Sequence, residues 1–259
     1  MLPVTVFYLI FLAAPILLLL MGSFGETWSN TLLPQGFTGR WYADIAADPS
    51  FRRAFMTSLQ VVAATCVLNV IVGLPLAYAI HSAAHRGVRF AARLAALMPV
   101  AAPELVLAFG FILVFSSDSL PWLGSFWLLV AAHLVLTLPY SVTTLLADME
   151  QLRLADYEGV AASLGAGFAQ RARDIVVPLL GASLTSSLLT VAALSIGEFQ
   201  ISNLISGFLS RTYPVVLLQA FYGATGFACA ATVVLLALAT MASLASSLAA
   251  RTTAGGRTA

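Results

Sequence analysis

Long uncharged stretches separated by short charged islands set the pattern of this chain, and six can be traced. Met1 to Gly25 ends just before Glu26 and predicts a first span with a bend at Pro15. Ala54 to Ile80 is the second, and Leu94 to Ser117, interrupted by Glu104, is the third. Ser119 to Ala147 holds His133, and Ile175 to Gly197 stops at Glu198. The last stretch, Thr212 to Ala250, runs 39 residues and is too long for one span. Pro214, Gly223 and Gly226 punctuate its first part, which places a sixth helix over Phe227–Ala250. A bilayer core about 30 Å thick takes about 20 apolar residues per helix. The pattern therefore predicts an all-α polytopic membrane protein, a single domain over residues 1–259 with six transmembrane helices.

Composition removes the competing classes. The chain is 60% hydrophobic and 9% charged, with a mean hydropathy of +0.96, whereas soluble domains carry roughly 25% charged residues. The first stretch has no basic start and exceeds the roughly 7–15 residues of a signal-peptide core. A net charge of +1 gives no electrostatic footprint for nucleic acid. Cys66 and Cys229 lie apart inside apolar runs, without metal-ligand spacing. His81 and His85 stand at i, i+4 and could bind a metal in principle, but they sit among arginines in a short polar loop, which reads as solvated. No metal site and no catalytic residue is expected.

Arginine placement predicts orientation. Eight arginines (Arg86, Arg89, Arg93, Arg153, Arg171, Arg173, Arg251, Arg257) fall on one side and four (Arg40, Arg52, Arg53, Arg211) on the other. This puts both termini in the cytoplasm. Of the two long loops, the outer one from Glu26 to Arg53 carries Trp28, Trp41, Tyr42 and Phe51 and suits a partly interfacial segment. The inner one runs from Asp148 to Asp174. In it Tyr157, Val160, Ala161 and Leu164 share one helical face, flanked by Asp156 and Glu158. Gly165 and Gly167 then allow a reversal before Arg171, Arg173 and Pro178 lead into the fifth span. The pattern fits a knob projecting below the membrane, and equally a small surface helix.

The stretch Glu158-Gly159-Val160-Ala161-Ala162-Ser163-Leu164-Gly165-Ala166, followed by Ile175-Val176-Val177-Pro178, resembles the EAA loop of bacterial ATP-binding-cassette (ABC) importer permeases. That pattern reads E-A-A, three residues, G, nine residues, I-x-L-P. Gly165, Ile175 and Pro178 fall in register, with Val177 for Leu. The start departs: Gly159 stands at the usual Glu, Val160 replaces the first Ala, and Glu158 comes one place early. Met98-Pro99-Val100-Ala101-Ala102-Pro103 and Thr212-Tyr213-Pro214-Val215 also resemble these permeases, so the likeness covers nearly the whole chain. Among subfamilies the chain is most similar to the 2-aminoethylphosphonate and spermidine/putrescine types, and Trp28, Leu33-Pro34-Gln35-Gly36-Phe37-Thr38 and Gly197-Glu198-Phe199 lean towards the aminoethylphosphonate branch.

The resemblance implies a type I importer permease in the bacterial inner membrane, with a coupling loop over 148–178. Asp156, Glu158, Gly159, Ala161, Ala162, Leu164, Gly165, Ala166 and Pro178 would engage an ATP-binding-cassette ATPase dimer. The other implied partners are a second permease subunit, an extracytoplasmic substrate-binding protein and membrane lipid. A Walker A loop needs a phosphate-reaching lysine, and this chain has no lysine. It therefore carries no cofactor of its own, and ATP and Mg would sit on the partner.

Glu104, Glu198 and Asn203 are the candidate substrate-path residues. A charge at mid-bilayer costs about 2.5–3.5 kcal/mol on insertion scales, so such groups usually face a cavity or a partner. Two acids would repel a bare oxyanion and favour a cationic or zwitterionic solute such as 2-aminoethylphosphonate or a polyamine. Each acid could instead sit in interfacial water at a helix end, and His133 could be a hydrogen-bonded packing residue. Asn69 could be a helix-contact group or path lining. The alternatives are a secondary transporter driven by protons through Glu104, His133 and Glu198, or an ABC permease for ferric iron, thiamine or an oxyanion. A secondary transporter predicts inverted repeats, and none stands out. An intramembrane enzyme would need HExxH, GxSxG or a similar cluster, and these motifs are absent.

Overall fold

The computed structural model describes residues 2–28, 31 and 33–255; Met1, Ser29, Asn30, Leu32 and the last four residues, including Arg257, lie outside the described residues. The described residues form helices with no strand, only isolated bridges pairing Thr27 with Gln35 and Gly124 with Ser206. In chain order the helices are α1 (Leu2–Ser23), α2 (Arg40–Ala47), α3 (Pro49–Ser82), α4 (Arg86–Ala101), α5 (Glu104–Phe115) and α6 (Phe126–Gln151). Then follow α7 (Leu154–Ser163), α8 (Phe168–Gly197), α9 (Gln200–Ile205), α10 (Tyr213–Ala220) and α11 (Thr225–Gly255).

Among the described residues, four helices are long and apolar enough to cross a membrane: α1 from Val4, α3, α6 and α8. The expected third span is a bent pair instead, α4 and α5 meeting at 95°. The cause is local. Pro103 has no N–H to donate and pushes Ala102 into an extended conformation, φ −86° and ψ 135°. The pair adds a fifth candidate span, and α11 contributes an apolar section, Thr225–Met241, shorter than the others.

Two other limits shift for readable reasons. α3 begins before Ala54, because Asp48 accepts hydrogen bonds from the N–H groups of Ser50 (2.7 Å) and Phe51 (3.2 Å) and Pro49 opens the helix. Such a cap is worth about 1 kcal/mol, and it carries Arg52 and Arg53 into the first turns. α6 begins at Phe126 rather than near Ser119, where Ser125 caps the N–H of Leu128 at 3.2 Å.

Packing centres on α8, which lies against α11, α6 and α3, while α1 covers α11. Ala228, Ala230 and Ala231 are buried on α11, and small residues let helix backbones approach closely. Three clusters fill the interior. One joins α2, α10 and the starts of α3 and α11 around Trp41, Phe51 and Tyr213. One joins α3, α5, α6 and α9 around Val61, Leu129 and Ile201. The third joins the far ends of α3 and α6 to α7 and α8 around Ile80, Met149, Leu154 and Leu180. This last cluster is the floor on which the knob stands.

Candidate functional site

Polar chemistry collects where α8 breaks. Its backbone leaves the helix at Glu198, φ −68° and ψ 126°, and restarts as α9 at Gln200. A break inside an apolar bundle exposes N–H groups that need acceptors. The Glu198 carboxylate supplies them, accepting from Ile201 N–H at 2.7 Å and Ser202 N–H at 3.0 Å. Ser202 Oγ donates a short hydrogen bond to Oε2 of the same carboxylate. His133, buried on α6, closes the network: Nε2 lies 2.9 Å from Ser202 Oγ and 3.4 Å from Glu198 Oε2, and Nδ1 lies 2.7 Å from Ser195 Oγ.

With the Ser202 proton directed to Glu198, the network is satisfied by an imidazole that donates from Nε2 and accepts from Ser195 at Nδ1. Serine, histidine and a carboxylate in a row superficially match an acyl-transfer triad. The two backbone N–H groups at the break, however, are already held by Glu198 and cannot cradle an oxyanion. The arrangement is a clamp that fixes the break.

The clamp forms one wall of a cavity of about 470 Å3 lined also by Glu104, Thr137, Tyr140 and Gln200. The two acids therefore reach the same space by different routes. Glu198 is 8% exposed and its oxygens are engaged. Glu104 opens α5 in the first turn after the bend, is exposed, and makes no ion pair or hydrogen bond among the described residues. The positive end of the helix dipole favours a carboxylate there. Asn203 is exposed on α9 and does not line this cavity. Asn69 is a helix-contact group: Nδ2 donates to Thr65 O and Thr137 Oγ1, both at 3.0 Å, and Oδ1 accepts from Ser141 Oγ at 2.7 Å.

The knob is built differently. α7 ends in a glycine cap: Gly165 has φ +88°, its N–H reaches Ala162 O at 3.0 Å, and Ala166 N–H reaches Ala161 O at 3.0 Å. These paired bonds satisfy orphan carbonyls and reverse the chain. Glu158 ties the knob to two long helices, accepting from Tyr78 Oη at 2.7 Å and facing Arg171 Nε at 3.5 Å. Arg171 also donates to Ala166 O at 2.8 Å, across the reversal. Asp156 pairs with Arg153 at 2.9 Å on the surface. Gly159 and Gly165 face open space, where an added Cβ would meet no atom within 4 Å. Ala161, Leu164, Gly165 and Ala166 line a shallow recess of about 310 Å3, and Pro178 sits in the first turn after the π-turn of α8. Tyr157, Val160 and Leu164 are 55%, 63% and 83% exposed.

Tyr78, Ser195 and Ser202 were not singled out by the pattern of the chain, and Arg171 was read only as part of the charged lead into the fifth span. Ser195 and Ser202 stand three before and four after Glu198, a helical spacing that could have flagged them. Nothing local links Tyr78 to Glu158, 80 positions away. Among the described residues no group of three His, Cys, Asp or Glu side chains could hold a metal ion, and His85 is exposed.

No family model matches the chain. It is 27% identical over 215 residues to a permease named for 2-aminoethylphosphonate transport, PhnV of Salmonella typhimurium, covering 82% of this chain and 79% of that protein. It is 25% identical over 257 residues to the spermidine/putrescine transport system permease PotC of Escherichia coli K12, covering 96% and 92%. Its fold matches a bacterial ABC transporter involved in import of the acidic polysaccharide alginate, with a TM-score of 0.71 at 18% identity over 94% of this chain and 92% of that one. A second structure of the alginate transporter, in complex with an alginate pentasaccharide-bound periplasmic protein, matches with a TM-score of 0.70 at 18% identity over 93% and 90%. The chain is thus similar along almost its whole length to transport-system permeases and shares its fold with an ABC transporter.

Proposed function

We propose that this chain forms half of the translocation path of an ATP-driven importer for a small solute carrying an ammonium group, 2-aminoethylphosphonate or a polyamine. The observation that carries the substrate class is the cavity in which Glu104 is an unengaged, exposed carboxylate while Glu198 is committed to the helix break. A carboxylate in a low-dielectric recess attracts a cation and repels an anion. The names of PhnV and PotC agree with that reading, since both kinds of solute carry ammonium groups.

The chain works beside a second permease subunit in the bacterial inner membrane, with both termini in the cytoplasm. A separate ATPase pair holds ATP and Mg and grips the exposed face of α7, and an extracytoplasmic binding protein delivers the solute. α8 links the parts physically, because the anchor Arg171 lies near one end and the clamp at the other. Rocking the knob would thus be felt at the cavity wall. The test is uptake in membranes holding the whole transporter. Glu104→Gln should raise the half-saturating concentration of an amine solute about tenfold, the effect of losing one charge-assisted contact of about 1.4 kcal/mol. Unchanged kinetics would remove Glu104 from the path. Recovery of the chain without an ATPase or second permease, still active in liposomes, would overturn the assembly.

A further inference from the structure

A second recess lies outside the candidate path. It has a volume of about 570 Å3 and lies where α2 meets the first turns of α3, with Val234 of α11 behind it. Ile45, Phe55, Met56 and Val234 give it apolar walls, and Arg52 and Arg53 stand on its rim. Both arginines are exposed, and neither makes an ion pair or hydrogen bond among the described residues. The nearby acids do not answer them. Asp48 is spent capping Ser50 and Phe51, and Asp44 does not line the recess.

Three features decide what fits. The volume falls within the roughly 300–1,000 Å3 of small-molecule sites. The walls open on a surface that also exposes Met56 at 58%, where hydrocarbon is the natural solvent. Tyr42 lines the recess, its hydroxyl donating to Ser23 Oγ at 2.8 Å, and its neighbour Trp41 is buried with its indole donating to Gly25 O at 2.8 Å. A half-buried Tyr at such a rim suits the headgroup zone. A pair of guanidiniums at that depth suits a phosphate, which they bind in a fork geometry.

We propose that this recess is a binding site for an anionic phospholipid, its acyl chain along Phe55, Met56 and Val234 and its phosphate on Arg52 and Arg53. The lipid would seat the lying helix α2 against α3 and so brace the end of the bundle that holds Trp41, Phe51 and Tyr213.

The test uses the full chain in nanodiscs of phosphatidylcholine doped with a photoactivatable phosphatidylglycerol or, separately, with photoactivatable phosphatidylcholine. The expected result is crosslinking of the anionic probe to peptides holding Met56 or Val234, in preference to the zwitterionic one. The double variant Arg52→Gln/Arg53→Gln should weaken the anionic probe roughly thirtyfold, the summed contribution of two arginines at a membrane surface. Arg86→Gln/Arg89→Gln, at the other end of the bundle, should leave it unchanged. Equal labelling by both probes, or loss of preference only in the Arg86/Arg89 variant, would overturn the proposal. So would a crosslink from Met56→Cys to a second protein in place of lipid. Unfolding temperatures of the variants in a lipid-free detergent should match wild type, separating lipid binding from folding.

Discussion

The two ends of α8 solve opposite problems. At Glu198 the helix stops inside the bundle, and each polar group at the break finds a partner within the chain: two N–H groups, two serine hydroxyls, an imidazole and a carboxylate close on one another. At the other end, α7 stands on a buried floor through Leu154 yet turns Tyr157, Val160 and Leu164 outward, with only Glu158, Tyr78 and Arg171 as guy ropes. One end is self-contained, and the other leaves apolar surface open, where the proposed ATPase would dock. A polar network buried in low dielectric is costly when incomplete, so it is finished internally. The knob, which we propose a partner grips, keeps its outer face open.

The strongest way to break this contrast is at the knob. Gly165→Trp puts an indole at a position that needs φ +88°, on a face with no neighbour within 4 Å. Uptake should fall to background while the detergent unfolding temperature drops only by the strain of about 1–2 kcal/mol. Uptake at the wild-type rate would mean the knob does not dock. Next comes Glu198→Ala, which orphans the N–H groups of Ile201 and Ser202 and removes the acceptor of the Ser202 hydroxyl. It should cost about 3–5 kcal/mol, read as a lower unfolding temperature of the isolated chain, and Glu198→Gln should recover part of it. A wild-type melting curve for the alanine variant would show that the clamp does not hold the break.

The smallest effect sharpens the comparison. Tyr78→Phe removes one hydrogen bond from Glu158 and leaves Arg171 in place, costing about 1 kcal/mol. Uptake should fall severalfold while stability barely moves. Loss of stability without loss of uptake would make the tether a mere brace.

Much of this was legible along the chain, for physical reasons. Apolar length gives α1, α3, α6 and α8, because a span must be uncharged for about 20 residues. The Gly165 reversal was readable because few residues tolerate a left-handed conformation. Hydropathy missed the 95° turn between α4 and α5, since a break at Ala102-Pro103 leaves the apolar average untouched. It could rank Glu104 and Glu198 only by depth, and their real difference is partnership. That depends on serines and a histidine brought together by packing, invisible to any window on the sequence.

The π-turns carry a consequence of another kind. α3 contains one at Asn69–Gly73 and α8 another at Ala172–Val176, on the two helices whose Tyr78 and Arg171 hold the knob. A π-turn stores one surplus residue in an otherwise regular helix. Deleting that surplus would restore a regular helix with its flanks in register, whereas a single-codon deletion elsewhere in the helix, just as quiet in hydropathy and length, would swing everything beyond by about 100° at 3.6 residues per turn. Tyr78 would then face away from Glu158, and cysteines placed at positions 78 and 158 would cease to crosslink. In this chain the aim of a tether is kept as a count of residues, so a mutation can be silent in chemistry and still ruin the gearing.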